Sequence, residues 1–465
     1  MASSISSLGI GSGVLTADVI EQLKAADESR LITPIDNKLD LQKQKETAFD
    51  LLNSLISSFK SSVSALSYDS LYGKRSVSVT GGNLEVVAEA GATPESFTLK
   101  TVQLAQKNIQ QSGTFASATS TVADGSGTMG ITVNGTTYNV AYTASTTLEG
   151  LATAINDAAG TAVKASVLQT GASEYRLVLS SQNTGSDQTI SVSDTPDTPG
   201  SGLVDAIYND ATLTSGFTTV LNAQDAILEY NGISVTRSSN EVSDLINGVT
   251  LKLKSEGETA NVNITQDQEA IVTEMKLFVE SYNTLISNLR DMTMSNQETG
   301  AQGVFNGDNF IKSISREINN ILISVSSDNK SLMNYGVDID KSGTMSFNST
   351  TFKSALASDP TGVNLFLAGG YDTATGQTKT GLFTTLNNKI KEYTGYNGLL
   401  TNYESNLDKK MSSLNDERSR MLASLESRYE ILTKRFSAYD AVISKINAQF
   451  SSLNMMIQAE VNAKA

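Results

Sequence analysis

The stretch DIDKSGTMSFNS, beginning at Asp338, spaces oxygen donors as a calcium loop does. Asp338, Asp340 and Ser342 take alternate positions and Gly343 takes the turn position. The twelfth position, where such loops supply a bidentate glutamate, is Ser349. Without that ligand the stretch reads as a hairpin turn between VDI and TMSF. Paired carboxylates, as in glycoside hydrolysis, are the other chemistry open to the chain, but no motif fixes two of its 49 acidic residues together. Cys, His and Trp are absent, which excludes thiol nucleophiles, imidazole acid-base catalysis and Cys/His zinc sites.

A glycine run is the remaining candidate: Gly9, Gly11 and Gly13 alternate with Ile10 and Ser12. A dinucleotide fingerprint needs a sixth-position glycine after a buried strand, and here that position is Val14 with too little chain before it for a strand. No Gly-Lys-Ser/Thr follows either, so a phosphate cradle is not expected. The run reads as a flexible leader ending at a helix cap, with Thr16 or Asp18 as N-cap and Glu21 in the capping-box position after Asp18. No catalytic, cofactor-binding or metal site is expected.

The elements around these stretches are mostly long helices. A formal charge of −15 without clustered Lys and Arg argues against nucleic-acid and anionic-membrane partners. No apolar run approaches the roughly 20 residues of a membrane helix, and the N-terminus lacks the basic-then-apolar pattern of a Sec signal. The chain therefore reads as cytosolic, or as exported by a route that leaves no cleavable signal. The lack of Cys suits a chain threaded unfolded, because no disulfide can lock it.

From Ile35 to Leu66 the residues Ile35, Leu39, Phe49, Leu52, Ile56, Phe59, Val63 and Leu66 form a helical stripe, with Pro34 suited to the first turn. Near the other end, Leu425, Tyr429, Leu432, Phe436, Tyr439, Ile443, Ile446, Phe450, Leu453 and Ile457 step four, three, four, three, which is an a/d heptad seam. Leu407, Met411, Leu414 and Met421 extend it upstream, where Arg418 occupies one seam position and the steps from Met421 to Tyr429 resemble a stutter. One helix from about Leu400 to Ile457 would run roughly 87 Å. Asp416–Arg420 and Glu430–Lys434 support it as i,i+4 pairs. The seam wants a partner. Leu52, Ile56 and Phe59 on Phe436, Ile443 and Phe450 within one chain would supply it, and so would neighbouring copies; a helical hairpin leaves a second face, so the two are compatible.

Between the helical ends the period changes to two. ITVNGTTYNV and ILEYNGISV are hairpins turning at Asn134-Gly135 and Asn231-Gly232. Thr146 and Glu149 are expected to form a capping box for a helix with Leu148, Leu151 and Ile155 on one face. With AVKASVL, YRLVLSS and TISVS this makes a ββαβββ-like unit, ending where Pro196, Pro199 and Gly200 break any element. EVSDLING then leads to the strands GVTLKLK and ANVNIT. Helical stepping resumes near Glu269, with Ile271, Met275, Phe278, Tyr282, Leu285 and Leu289 on one face.

The opening ISSLGIGSG, YNTLISNL at Tyr282, the block NAQDAILEYNGISVTRSSNEVSDLINGVTLKL from Asn222 and the terminal heptads together resemble the bacterial flagellar filament cap family, FliD or hook-associated protein 2. The segment from Ile131 to Ser193 resembles the flagellin hook IN motif that the family carries. The likeness covers nearly the whole chain, and the order of the motifs is its most specific feature.

The expected fold is α+β and multidomain: a terminal helical coiled-coil leg, a helical stalk and β-rich head domains containing the hook IN-type unit. Residues 1–34 are read as leader and first leg helix, 35–75 as a leg helix pairing with the C-terminal coiled coil, and 76–97 as stalk strands. A discontinuous head subdomain is read at 98–125 and 214–265, an outer head subdomain at 126–213, a helical stalk at 266–395 and the coiled-coil leg at 396–465. The resemblance implies a homo-oligomeric cap, pentamer or hexamer, at the distal filament tip. It also implies contacts with flagellin and a hook-filament junction protein, export without a cleaved signal, and a cytosolic chaperone at the C-terminal helix. Residues expected at the oligomer seam are Leu52, Ile56, Phe59, Val63 and the ten from Leu425 to Ile457. Rival readings are an adhesin with a glycan-binding head, disfavoured by the lack of Trp, a carboxylate hydrolase, flagellin itself and a hook-filament junction protein; the block at 222–253 favours the cap family over the last two.

Overall fold

The computed structural model describes residues 16–209, 211–295, 300–326 and 328–463; the glycine leader at 1–13 lies outside them. Its helices are α1 (Ala17–Leu31), α2 (Thr33–Leu66), the short α3 (Asp69–Gly73), α4 (Leu148–Ala159), α5 (Gln268–Thr293), α6 (Asn309–Leu322), α7 (Ser349–Ser358), α8 (Pro360–Leu367), α9 (Leu382–Thr394) and α10 (Leu399–Ala463). The chain divides into two compact units, one of Met1–Asp69 with Val272–Ala465 and one of Ser70–Ile271.

In the first unit the apolar stripe of α2 is wholly buried: Leu52, Phe59, Val63 and Leu66 have no exposed surface. Phe59 stacks on Phe278 of α5 at 5.7 Å between ring centroids, and Phe278 meets Phe383 of α9 edge-on at 4.8 Å. The face of α5 expected from Met275, Phe278, Tyr282, Leu285 and Leu289 is buried throughout. Helix α6 buries Ile311, Ile314, Ile318 and Leu322, and Asp308 caps its N-terminus by accepting from the N–H groups of Phe310 and Ile311. At α1 the N-cap is Thr16, without a side-chain cap bond. The Asp18–Glu21 box does not form, because the helix already begins at Ala17 and Asp18 lies inside its first turn, where its charge faces the positive helix end.

The second unit holds two apolar cores. Around one, a five-stranded antiparallel sheet runs in the order Arg75–Thr80, Thr259–Gln266, Glu95–Gln103, Ala226–Tyr230, Ile233–Arg237. A three-stranded sheet (Glu241–Ile246, Val249–Leu253, Leu84–Ala88) lies over it, and Phe97, Leu99, Leu228, Leu251, Val262 and Ile264 fill the space. The strands at 76–97 share this core with Glu95–Gln103 and with the strands from Ala226 to Gln266, whereas Ile109–Gln111 and Thr218–Leu221, expected in the same subdomain as those, belong to the sheet of the other core.

The other core joins α4 to a three-stranded sheet (Thr136–Tyr142, Gly127–Val133, Ser191–Pro196) and a four-stranded one (Thr218–Leu221, Ile109–Gln111, Glu174–Ser181, Val163–Gly171). The ββαβββ order is as read, but its strands are shared between the two sheets. Both hairpins turn where Asn and Gly take positive φ: 48° and 71° at Asn134-Gly135, 49° and 83° at Asn231-Gly232. The cap of α4 is Thr147, whose Oγ1 accepts from Gly150 N–H at 3.1 Å. Thr146 instead accepts from Thr143 N–H, so the cap lies one residue beyond the expected Thr146, and no box with Glu149 forms because the N3 position is Gly150, which has no side chain to return the bond. Pro196 does not break the chain; it ends a strand on the sheet's edge, where a missing N–H is tolerated.

Candidate functional site

The long helix α10, about 98 Å at 1.5 Å per residue, carries most of the expected seam. Its N-terminal part runs antiparallel to α2, and contacts on the two helices fix the register. Lys60 Nζ donates to Thr394 Oγ1 just before α10 begins, Phe49 meets Tyr403 at 5.1 Å, Gln42 Nε2 donates to the carbonyl of Leu407 at 3.0 Å, and Arg418 pairs with Asp36. As the α2 number falls the α10 number rises. Phe59 therefore lies opposite the beginning of α10, and the in-chain pairing of Leu52, Ile56 and Phe59 with Phe436, Ile443 and Phe450 is geometrically excluded. Leu52, Ile56, Phe59 and Val63 belong instead to the core that α2 shares with α5 and α9.

Arg418, which interrupts the seam in sequence, is the cation of that Asp36 pair. Beyond it the partner changes to α1. Leu425 and Tyr429 are buried against Ile20 and Ile32, with Leu432 and Phe436 half-buried beside them. Asp27 accepts from the Tyr429 hydroxyl at 2.9 Å and pairs with Arg428 at 3.2 Å. Burial first, and then this carboxylate, push the Tyr429 phenol above its ordinary pKa.

Past Phe436 the seam opens to solvent. Tyr439 is 61% exposed, Phe450 65%, and Ile446, Leu453 and Ile457 about half, while Ile443 is partly covered. Thus four of the fourteen expected seam residues lie in a core, four are packed on α1 and the other six form an open apolar stripe. Val442 and Met456 widen that stripe along one flank, while the exposed Met455 lies on the opposite side of the helix; none of the three carries a heptad signal.

The loop from Asp338 is a hairpin joining the strands Val337–Ile339 and Met345–Phe347. Asp340 Oδ1 accepts from Ser342 N–H, Ser342 Oγ and Thr344 N–H, and the hydroxyl bond first and backbone bonds second hold its carboxyl below the usual range. Asn283 of α5 fastens the hairpin by donating to the carbonyl of Met345 and accepting from its N–H. The carboxylate is thus spent on the turn. Among the described residues no group of three or more Asp or Glu is placed to hold a metal ion, and no helix is long and apolar enough to cross a membrane.

Comparison with known proteins places these elements in a family. Residues 12–108 match the model of the flagellar hook-associated protein 2 N-terminus, 223–448 that of its C-terminus and 128–183 the flagellin hook IN motif. The flagellar hook-associated protein 2 of Helicobacter pylori J99 is 37% identical over 50% of this chain, which spans only 36% of that relative's length. That of Escherichia coli K12 is 26% identical over 99% of this chain and 100% of its own. The crystal structure of the D1-D2-D3 domains of the E. coli flagellar cap protein FliD superposes with a TM-score of 0.63 and 25% identity, covering 78% of this chain and 99% of that one.

Proposed function

Because the chain belongs to the flagellar hook-associated protein 2 family, we propose that it is a structural subunit of the cap at the distal tip of a bacterial flagellar filament. The observation that carries this reading is the open stripe from Tyr439 to Ile457. An apolar helix face of this length, left uncovered by the described residues of its own chain, has its use against other subunits. Copies join through it into a ring of five or six. The ring retains exported flagellin and promotes its folding and insertion as the filament lengthens.

The other partners follow from the same reading. Flagellin and the hook-filament junction protein meet the helical ends, and before export a cytosolic chaperone covers the C-terminal helix. The working location is extracellular, reached without a cleaved signal peptide, and the role is mechanical rather than enzymatic. Electron microscopy of the purified protein tests the assembly: closed rings of one symmetry in top views are expected, and monomers at every concentration would overturn it.

A further inference from the structure

We propose that the outer edge of the strand Gln377–Thr380, with the trough beside it, docks an extended polypeptide segment in which every second residue, the set facing the trough, is apolar and basic in turn. The capping reading enters only as the source of such a segment, a subunit that has left the export channel and has not yet folded.

The trough is an opening of about 830 Å³ within the first unit. Its apolar floor is Ile321 at the end of α6, Leu365 and Phe366 of α8, and Leu382 at the start of α9. Phe366 is held by its ring contact with Tyr335 at 4.9 Å. Four consecutive residues, Gln377, Thr378, Lys379 and Thr380, border the opening. Side chains of a strand alternate between faces, so four in a row at one opening place the main chain itself along it. Among the described residues this strand pairs with Gly369–Asp372 alone, Gly370 opposite Lys379 and Asp372 opposite Gln377. Its other edge therefore has free N–H and C=O groups, the template that strand addition uses. Four residues give about 13 Å of edge, enough for a guest strand of similar length.

Charge selects the guest. The rim carries Asp328, Asp359 and Asp372 against Lys330 and Lys379. Lys379 Nζ sits 2.5 Å from Asp328 and 3.1 Å from Asp372, so one ammonium serves two carboxylates; Lys330 takes Asp359 at 3.3 Å. The Asp328–Asp372 end is thus one cation short. A basic residue of the guest completes it, whereas an acidic residue meets uncompensated negative charge, and the guest's apolar residues cover Leu365 and Phe366.

The test uses the full chain and a fluorescein-labelled, end-capped hexapeptide Thr-Ile-Thr-Lys-Thr-Ile, which puts two isoleucines and a lysine on one face of the strand, read by fluorescence anisotropy. Two comparison peptides carry glutamate for lysine, or keep lysine and methylate alternate backbone nitrogens. Saturable binding of the lysine peptide is expected, weakened about tenfold or more by either change and severalfold by Asp328→Asn. Equal affinity for the lysine and glutamate peptides, binding undiminished by N-methylation or by Asp328→Asn, or no saturation into the millimolar range would overturn the proposal. Filaments that stay capped while the peptide fails to bind would remove this site and leave the capping reading intact.

Discussion

Replacing Phe450 and Phe59 separately with alanine should split stability from assembly. Phe59 has no exposed surface and touches the rings of Phe278 and Tyr282, so Phe59→Ala empties a packed site and costs about 3–5 kcal/mol of folding stability. Phe450 is 65% exposed in the chain, so Phe450→Ala should move the unfolding midpoint of the monomer hardly at all, within about 0.5 kcal/mol. A phenylalanine offers about 200 Å². Burying the exposed two thirds against a neighbour, at about 25 cal/mol per Å², is worth roughly 3 kcal/mol per contact. Removing it should weaken association about 30- to 150-fold. Thermal melts at low concentration read the first quantity, and mass photometry across a dilution series reads the second. If Phe450→Ala lowers the melting temperature as much as Phe59→Ala does, the seam is packed inside the subunit and the reasoning fails.

The chain has no Cys, so single cysteines report the same surface directly. Phe450→Cys should react with a maleimide more slowly once oligomers form, whereas Ala448→Cys on the opposite side of α10 should react at one rate throughout; equal protection of both would contradict a one-sided interface. Tyr429→Phe removes the hydroxyl bond to Asp27 and should cost about 1–2 kcal/mol, seen as faster hydrogen exchange in α1, and unchanged exchange would show that bond to be idle. Tyr282, pushed up to about 12 by burial and then by the Asp340 charge, is raised above its unfolded value. Its contribution, on the order of 3 kcal/mol, is complete below pH 10 and is lost as pH rises from 10 through 12; a denaturation midpoint flat across that window would refute the assignment. Asn231→Ala puts an alanine at φ 49° and removes the acceptor of Thr98 N–H, so a loss of about 1–3 kcal/mol is expected in the second unit's melting.

Periodicity marked which residues are buried in α2 and α5 because a 3.6-residue repeat needs only one covered face. It could not name the cover. The α2–α10 register rests on Asp36–Arg418 and on Gln42 with the Leu407 carbonyl, polar contacts that hydrophobic spacing does not encode. Arg418 looked like a flaw in the seam for that reason. The two Asn-Gly turns were legible because positive φ at two successive residues restricts the residue types. The cap of α4 was read one residue early because Thr146 and Thr147 are chemically alike and only geometry separates them. The trough beside Gln377–Thr380 had no signature at all, being assembled from α6, α8, α9 and intervening loops that are far apart in sequence.

The capping role is tested most directly in cells lacking their own cap subunit and supplied with this chain, by measuring polymerised and free flagellin together. The account predicts full-length filaments with density at the distal tip and little flagellin in the medium, and it predicts that Phe450→Asp, when exported normally, reverses both. Filaments of normal length with the Phe450→Asp chain, or unpolymerised flagellin in the medium despite export of the unaltered chain, would contradict it.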